Sequence, residues 1–406
     1  MSVLRFCSIH LMSALSTALR NTPSYQEFSQ DAKTGARKGA QVAQAVGGWL
    51  LLLLICLGSQ VSAADNVVFV TWDGFRWQEL FHGADARLIN KPDGGVPDAD
   101  DIRARFWRET PEARRQTLLP FFWSTVARQG QVFGDPAQQS AARITNRMKF
   151  SYPGYNEMLV GFADDRIDSN NKIPNPNVNV LEFLHGRPGF SNRVAAFATW
   201  DVMEYILNRP RSGFLVQSGW TLLADEPLSP QQQEVNVLVN ELPRLWRNNA
   251  YDFLTHRAAL EYVRKHRPRV LYVGLGETDE WAHARRYDLY LEAAQRSDRY
   301  LRELWELLQS LPQYRDRTAL VLTTDHGRGI TPRDWTSHGA DVPEAEYIWI
   351  AALGAGIPAR GIRQNAPATQ SQVAATLAVL AGEDFATWDD RIAAPLSLVE
   401  PGAAER

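Results

Sequence analysis

The chain has 406 residues, with 43 Lys and Arg against 46 Asp and Glu, which gives a formal net charge of −3. This balance gives no support for a nucleic-acid groove or for an anionic membrane surface as a partner, so we expect no nucleic-acid polymer. An apolar fraction of 45% and a charged fraction of 22% are typical of a globular protein. The length allows two or three domains of ordinary size with a large core.

The first 64 residues differ from the rest and are predicted to be a leader. Arg37 and Lys38 precede an apolar run at about 49–58, and the small residues Ala63 and Ala64 follow it. Such an arrangement is typical of a secretory signal peptide, and the run has about half of the ~20 residues that span a bilayer. We predict cleavage after Ala63 or Ala64, a periplasmic or secreted protein, and no stable membrane span after cleavage. An uncleaved membrane anchor is the alternative.

Both cysteines, Cys7 and Cys56, precede the predicted cleavage site, so the mature chain is expected to have no disulfide, although export would permit one. A lipoprotein anchor at Cys56 is a further alternative, but Ile55 is bulkier than the residue expected before such a cysteine. The leader signals begin far from Met1, which leaves the true start and the role of residues 1–35 open.

The elements of the exported part are predicted from hydrophobic patterning, taken in chain order. Residues 66–71 form an apolar, β-branched run that predicts a buried strand, and Trp72-Asp73-Gly74 predicts a turn after it. Further strands are predicted at 143–150, 193–199, 269–275, 319–324 and 346–353. Helices are predicted within 99–128, broken at Pro111 and Pro120, and at 153–162, 201–207, 251–265, 287–311 and 370–381. Residues 163–180 are predicted to be a loop.

Strands that alternate with helices predict an α/β fold, with a mostly parallel central sheet and helices on both faces. We expect one catalytic domain over 65–400. Residues 208–250 contain Pro210, Pro227 and Pro230 and no long period, and they predict a small cap or insertion beside the active site.

Carboxylates and histidines follow three of the predicted strands: Asp73, then Asp279 with His283, then Asp325 with His326. In open α/β sheets, ligands bind beyond the carboxyl ends of the strands, so these segments are expected to converge. Asp279 and His283 are four residues apart and share one face of a helix. A carboxylate with an imidazole suits Zn²⁺ or Mn²⁺.

His338, a dozen residues after His326, adds a third imidazole. Taken singly, each segment has an ordinary explanation, such as a surface pair for Asp279 and His283 or a turn cap for Asp73. Together they offer three carboxylates and three imidazoles, which suffice for two divalent metal ions.

Ser151 is the candidate nucleophile, because it lies between a predicted strand and a predicted helix in Ser151-Tyr-Pro153. Backbone N–H groups and the helix dipole at such a position favour an alkoxide and a phosphate oxygen. The alternative is that Ser151 is only an N-cap.

The order of these motifs resembles the alkaline phosphatase superfamily, and more closely its type I phosphodiesterase/nucleotide pyrophosphatase and phosphoglycerate-mutase-like branches. The family pattern is an Asp after the first strand, a Ser or Thr before Pro, Asp-x-x-x-His, Asp-His-Gly and a last His. This chain has all of them in that order over roughly 66–382. The resemblance implies two metal ions, one on each side of Ser151. Zn²⁺ is the first candidate for these ions, and Mn²⁺ is the second. The implied ligands are Asp279, His283 and His338 for one ion and Asp73, Asp325 and His326 for the other.

The departures from the family also carry information. Sulfatases of the superfamily have an Arg four residues after their Cys or Ser, where this chain has Tyr155. The mutases are cytosolic and carry a large inserted domain, whereas this chain is predicted to be exported. This difference argues against the mutase branch. The diesterases have a Gly and then a substrate-contacting Asn, and Gly161 and Asn171 fall near those positions. Asn171 is therefore the predicted substrate-binding residue, in a loop crowded with Asn170 and other asparagines.

The resemblance implies a metal-dependent hydrolase of small phosphate esters, either a phosphodiesterase or a phosphomonoesterase, that acts through phospho-Ser151. A phosphoryl or phosphoethanolamine transferase or a mutase with the same site is the alternative, and an inactive binding protein that kept the fold is a third. Some of the 13 tryptophans are candidates for stacking at the site mouth, although filling the core is the more ordinary role. The candidates are Trp77, Trp107, Trp123, Trp200 and Trp220.

Overall fold

The computed structural model describes residues 64–224 and 226–398. The predicted leader, with its apolar run, lies outside the described residues except for its last residue, Ala64, whose N–H donates to the Leu380 carbonyl at 2.7 Å. Within the part that is described, no helix has the length and apolar character needed to cross a membrane.

The centre of the fold is an eight-stranded sheet in which all pairings are parallel except those of one strand, which confirms the predicted α/β architecture. The described strands are β1 (Asn66–Trp72), β2 (Gly130–Phe133), β3 (Ala142–Arg143), β4 (Val194–Ala198), β5 (Leu215–Ser218), β6 (Val270–Leu275), β7 (Thr318–Thr323), β8 (Tyr347–Ile348), β9 (Ile350–Gly354), β10 (Gly361–Ile362) and β11 (Ala368–Thr369). The main sheet has the order β10-β2-β9-β7-β1-β6-β4-β5, with β9 antiparallel to both neighbours. A small second sheet has the order β11-β3-β8.

The helices connect these strands. They are α1 (Trp77–His82), α2 (Lys91–Gly94), α3 (Ala99–Phe106), α4 (Pro111–Leu118), α5 (Ala127–Gln129), α6 (Ser151–Val160), α7 (Val180–His185), α8 (Met203–Ile206), α9 (Arg209–Ser212), α10 (Pro230–Glu241), α11 (Asp252–His266), α12 (Glu277–His283), α13 (Tyr287–Ser310) and α14 (Gln372–Leu380). A π-helical turn, Phe122–Val126, precedes α5, and 3₁₀ turns cover Pro136–Gln138 and Phe385–Thr387.

The residues of β1 show why the sheet is buried on both faces. Val68, Val70 and Trp72 pack into one hydrophobic cluster, while Val67 and Phe69 pack into the other. Successive side chains of a strand point to opposite faces, so a continuous apolar run fills two cores at once. Each such buried side chain contributes about 1.5–3 kcal/mol of transfer free energy.

The strand predicted at 143–150 is wrong beyond Arg143, where β3 ends. Ile144 still donates to the Glu346 carbonyl at 2.9 Å, but the two residues after it bond to a side chain instead of a neighbouring strand. The Glu157 carboxylate accepts the backbone N–H groups of Thr145 and Asn146 at 2.8–2.9 Å. The Ser371 hydroxyl donates to the same carboxylate at 2.7 Å. The segment that leads to Ser151 is therefore an ordered loop fixed by one buried acid.

Residues 208–250 contain more regular structure than their prolines suggested. β5 pairs with β4 as the last strand of the main sheet. Pro230 is the first residue of α10, whose Ser229 cap forms a capping box with Gln232. A proline is well tolerated at this position, because the N–H that it lacks would have no partner within the helix. The role of the segment as a cap stays a prediction.

Candidate active site

Three neighbouring parallel strands bring the predicted ligands to one edge of the sheet. β1 lies between β7 and β6 and is parallel to both. Asp73 directly follows β1, Asp325 follows β7, and Asp279 lies in the first turn of α12, which follows β6. Because the carboxyl ends of parallel strands meet at one edge, three segments far apart in sequence form one cluster.

The more buried part of the cluster consists of Asp73, Asp325 and His326. His326 Nε2 lies 3.6 Å from Asp73 Oδ1 and 3.4 Å from Asp325 Oδ2. The His326 Nδ1 atom is 3.0 Å from the carbonyl oxygen of Gly327. Since a carbonyl can only accept, Nδ1 carries the proton and Nε2 presents a lone pair to the two carboxylates.

The second part consists of Asp279, His283 and His338. His283 Nε2 lies 3.2 Å from Asp279 Oδ2 and 3.0 Å from His338 Nε2. The His338 ring stacks on that of His326 with centroids 3.9 Å apart, which joins the two parts. The ligand atoms of Asp279, His326 and His338 lie within 4.8 Å of one another, as do those of Asp73, Asp325 and His326, so His326 is close to both parts. His283 belongs to neither of these two groups and is the most exposed of the six predicted ligands at 47%.

Ser151 lies at the junction of the two parts. Its Oγ is 3.4 Å from His326 Nε2, and its side chain is among the buried polar groups. Ser151 is the first residue of α6, and Phe150 occupies the N-cap position without a side-chain cap. The alternative that Ser151 only caps the helix is therefore wrong. A Cβ at Gly154 would lie 2.3 Å from the Asp325 carbonyl oxygen, so only glycine lets α6 approach this closely.

The electrostatics of the cluster favour a bound cation. Burial raises the pKa of Asp73 well above its usual range, and the Asp325 and Asp279 carboxylates add to the shift. Burial also raises the pKa of Asp325 to about 7. Burial lowers the pKa of His326 to about 4 and that of His338 to about 2, so both imidazoles are neutral near pH 7. Neutral imidazoles are the form that ligates metals, and a bound cation would favour the ionised form of these crowded carboxylates, which is the form that ligates.

Two buried oxygens show that the residues present fit a metal. Asp73 Oδ1 and Asp325 Oδ2 have no hydrogen-bond partner in the described part of the chain, although their other oxygens are bonded to Tyr155 Oη and to the Gly74 N–H. An unpaired buried carboxylate oxygen costs free energy unless a cation meets it. The mixed carboxylate and imidazole donors suit Zn²⁺ or Mn²⁺.

Sequence reasoning missed Arg328, which directly follows Asp325-His326-Gly327. Its buried guanidinium donates to the carboxylate and the carbonyl of Asp279, and also to the carbonyls of Gly74 and Thr336. Burial acts to raise the pKa of Asp279, but the Arg328 guanidinium and the His283 hydrogen bond hold it well below its usual range. The signal that could have identified this residue was a positively charged side chain directly after a run of predicted metal ligands.

A small cavity of about 130 Å³ opens onto the cluster. Besides Ser151 and four of the six candidate ligands, it is lined by Asn170, Trp200, Asn248, Asn249, Gly276 and Glu280. The four ligands are Asp73, Asp279, His283 and His338. Asn170, and not Asn171, lies along this cavity, where its Oδ1 accepts the backbone N–H of Tyr152 at 3.0 Å. The predicted role of Asn171 in substrate binding stays a prediction. A larger cavity of about 500 Å³ lies elsewhere, between the π-helical turn and α13.

Of the five tryptophans considered for stacking, only Trp200 is among the lining residues of this cavity. Trp123 belongs to the core, and the others are partly buried and pack against it: Trp77, Trp107 and Trp220. The ordinary structural role therefore accounts for most of them.

The chain is similar to one known protein family and to several solved structures. Residues 246–384, less than half of the chain, match the family described as Metalloenzyme superfamily. No curated protein sequence matches the chain. Among solved structures, the wild-type alkaline phosphatase PafA is 10% identical with a TM-score of 0.54, covering 83% of this chain and 99% of its own. Ps i-CgsB is 14% identical with a TM-score of 0.50, covering 82% and 75%. The lipoteichoic acid synthase LtaP from Listeria monocytogenes is 12% identical with a TM-score of 0.49, covering 80% and 74%.

The likeness to PafA and Ps i-CgsB shows that the fold is shared. The family match covers α12, β7 and the loop that carries His338. The match and the fold together confirm the predicted resemblance to the alkaline phosphatase superfamily.

Proposed function

We propose that this chain is an exported metal-dependent hydrolase of phosphate esters that acts through a phospho-Ser151 intermediate. The observation that carries the proposal is the position of Ser151 Oγ, 3.4 Å from His326 Nε2, at the junction of two sets of candidate ligands. One metal ion is assigned to Asp279, His283 and His338 and the other to Asp73, Asp325 and His326. Zn²⁺ is the first candidate for both, and Mn²⁺ the second.

Ser151 takes part in both steps of the proposed reaction, first as the nucleophile and then as the phosphorylated residue. Divalent metals, when bound, supply Lewis-acid charge that favours the deprotonated Ser151 hydroxyl and neutralises phosphate oxygens. Ser151 Oγ attacks the phosphorus in line with the leaving oxygen, so that the new serine ester forms as the alcohol departs. Water then cleaves the phosphoserine bond and regenerates Ser151. The start of α6 fixes the attacking oxygen, which lowers the entropic cost of the first step.

The walls of the cavity favour diesters over monoesters. The described residues that line it include no Lys or Arg. Arg328 is fully buried, and its donors are taken up by Asp279 and by backbone carbonyls. Glu280 adds a carboxylate to the wall. A monoester dianion carries one more negative charge than a diester, and this wall offers that charge no cationic side chain.

The test compares bis-p-nitrophenyl phosphate with p-nitrophenyl phosphate after the protein has been stripped of metal and reloaded with Zn²⁺ or Mn²⁺. We expect metal-dependent turnover with a higher kcat/KM for the diester, and loss of turnover in Ser151→Ala. A faster monoester reaction would reject the diester preference but keep the hydrolase. Metal binding without turnover of either ester would favour an inactive binding protein.

The same site in a transferase would pass the phosphoryl group from Ser151 to an alcohol. Adding ethanolamine or glycerol as acceptor during turnover separates the two outcomes, because a transferase forms the new ester at the expense of inorganic phosphate or the free monoester. We expect water to remain the main acceptor. The position of Tyr155 opposes a sulfatase, since that family pattern has an Arg there.

Export and domain organisation belong to the same proposal. The leader is expected to be removed after Ala63 or Ala64, leaving one catalytic domain over 65–400 in which 208–250 borders the active site. Asn248 and Asn249, at the end of that segment, line the cavity, which supports its position beside the site. N-terminal sequencing of the protein from a bacterial periplasm tests the cleavage, and an intact N-terminus would contradict it.

A further inference from the structure

Tyr155 connects the nucleophile helix to one of the candidate metal ligands. It lies four residues after Ser151 on α6, so the two side chains project from neighbouring turns of one helix face. The Tyr155 hydroxyl lies 3.0 Å from Asp73 Oδ2 and donates to it. Both residues are buried, at 3% and 6% exposure.

This hydrogen bond decides which oxygen of Asp73 is free. Oδ2 is engaged by the phenol, while Oδ1 is buried without a partner and faces His326 Nε2 at 3.6 Å. Asp73 stands on a turn after β1, where its carboxylate could otherwise rotate and present either oxygen or both. Partners that orient a ligand in this way are typical of metal sites and commonly control metal affinity.

We propose that Tyr155 is a positioning residue that holds Asp73 as a one-oxygen ligand and fixes that centre relative to Ser151. The proposal rests on the proposed metal site and adds a residue that the ligand motifs do not contain. Loss of the phenolic hydroxyl frees Oδ2, lets the carboxylate rotate, and weakens the centre formed by Asp73, Asp325 and His326. The other centre, which does not include Asp73, is expected to change less.

The same helix supplies a matched control. Tyr152 is also buried, at 2% exposure, but its hydroxyl donates to the carbonyl of Ile173 at 2.6 Å and does not contact a candidate ligand. Tyr155→Phe and Tyr152→Phe each remove one buried hydroxyl from α6. A purely structural effect of the lost hydrogen bond lowers stability in both variants, whereas an effect on metal binding is expected only in the first.

The experiment is calorimetric titration of Zn²⁺ into the metal-free full-length protein at fixed pH, with unfolding midpoints measured in parallel. We expect the wild type to bind two ions, Tyr155→Phe to bind one of them about 10–100-fold more weakly, and Tyr152→Phe to keep both affinities. In the Co²⁺-loaded protein, the visible absorption bands should change in Tyr155→Phe alone.

Equal Zn²⁺ affinities in Tyr155→Phe and the wild type would overturn the positioning role while leaving the hydrolase proposal in place. Failure of the wild type to bind metal would remove the centre and overturn both. If Tyr155→Phe does not fold, 3-fluorotyrosine placed at 155 or at 152 in the full chain replaces it. The ¹⁹F resonance at 155 should move on adding Zn²⁺ while that at 152 stays, and a stationary signal at 155 would reject the proposal.

Discussion

The Arg328 guanidinium donates to the carboxylate of Asp279, one of the residues that are expected to hold a metal ion. The same side chain donates to the carbonyls of Gly74 at 3.2 Å and Thr336 at 2.7 Å. One buried cation thus ties together the turn after β1, the start of α12 and the loop before His338.

Replacing Arg328 should lower the free energy of unfolding more in the metal-free protein than in the Zn²⁺-loaded protein. Arg328→Gln leaves the Asp279 carboxylate, which is 16% exposed, without its charged partner. The loss of one partner of a fully buried ion pair commonly costs about 3–5 kcal/mol, and we expect a smaller loss for this partly exposed pair. A bound divalent cation supplies compensating charge, so the loss should shrink when Zn²⁺ is present. Urea unfolding with a chelator and with Zn²⁺ measures both values.

Arg328→Lys is the matched control, because it keeps the positive charge but loses the planar fork of donors. It should recover part of the metal-free stability. An equal loss for Arg328→Gln with and without metal would show that the guanidinium acts only through its backbone hydrogen bonds.

Ser151→Ala should abolish turnover and leave the fold and the metal sites intact. We expect kcat to fall by at least about 10³-fold, the scale seen when a nucleophile is removed. Ser140 provides the control, since it is also buried but its hydroxyl donates to the Ala366 carbonyl, away from the cavity. Rapid acid quench with a ³²P-labelled diester should trap labelled protein in the wild type and in Ser140→Ala. Label retained in Ser151→Ala would assign the nucleophile elsewhere.

Much of the fold could be predicted because the apolar runs in the sequence coincide with strands that are buried on both faces of the sheet. The runs at 66–71, 269–275 and 319–324 are apolar because β1, β6 and β7 are covered on both faces. The ligand segments could be predicted for a related reason. Parallel strands necessarily gather the residues that follow them at one edge.

What sequence reasoning missed depends on contacts between distant residues. Arg328 and Tyr155 act through hydrogen bonds to Asp279 and Asp73, and no spacing along the chain encodes such partners. The loop before Ser151 has a strand-like sequence, but its N–H groups bond to the Glu157 carboxylate. In this loop, the hydrogen bonds to the buried Glu157 carboxylate outweigh the local preference for a strand.

The stability of the metal-free protein should fall as pH rises, and metal should reverse the trend. Burial raises the pKa of Asp325 to about 7 in the folded state, against about 3.9 in an unfolded chain. The folded state therefore binds the extra proton, and the stability that this contributes is complete below about pH 4 and is lost as pH rises through about 7. Zn²⁺ favours the ionised carboxylate, so the increase in Tm on adding Zn²⁺ should be larger at pH 8 than at pH 5.

The Asp325→Asn variant tests whether Asp325 or another titrating group causes the pH dependence of stability. Burial also raises the pKa of Asp252 and of Asp298 to about 7, and neither is a candidate ligand. The asparagine can still accept the Gly74 N–H, so the metal-free variant should fold and show a flatter decline of Tm between pH 5 and 8. The same slope in variant and wild type would exclude Asp325 as the source.

Gly154→Ala should weaken both stability and metal binding by moving α6. A Cβ at this position would lie 2.3 Å from the Asp325 carbonyl oxygen, which is backbone and cannot yield as a flexible side chain would. Overpacking of this kind commonly costs about 1–3 kcal/mol, and the shift would carry Ser151 away from His326. Gly186→Ala is the control, because its Cβ would meet nothing closer than 3.5 Å. Unfolding midpoints and Zn²⁺ titrations of the two variants should differ, with Gly186→Ala close to wild type. Wild-type Zn²⁺ affinity in Gly154→Ala would mean that the close approach of α6 to Asp325 is not what sets the geometry of the metal site.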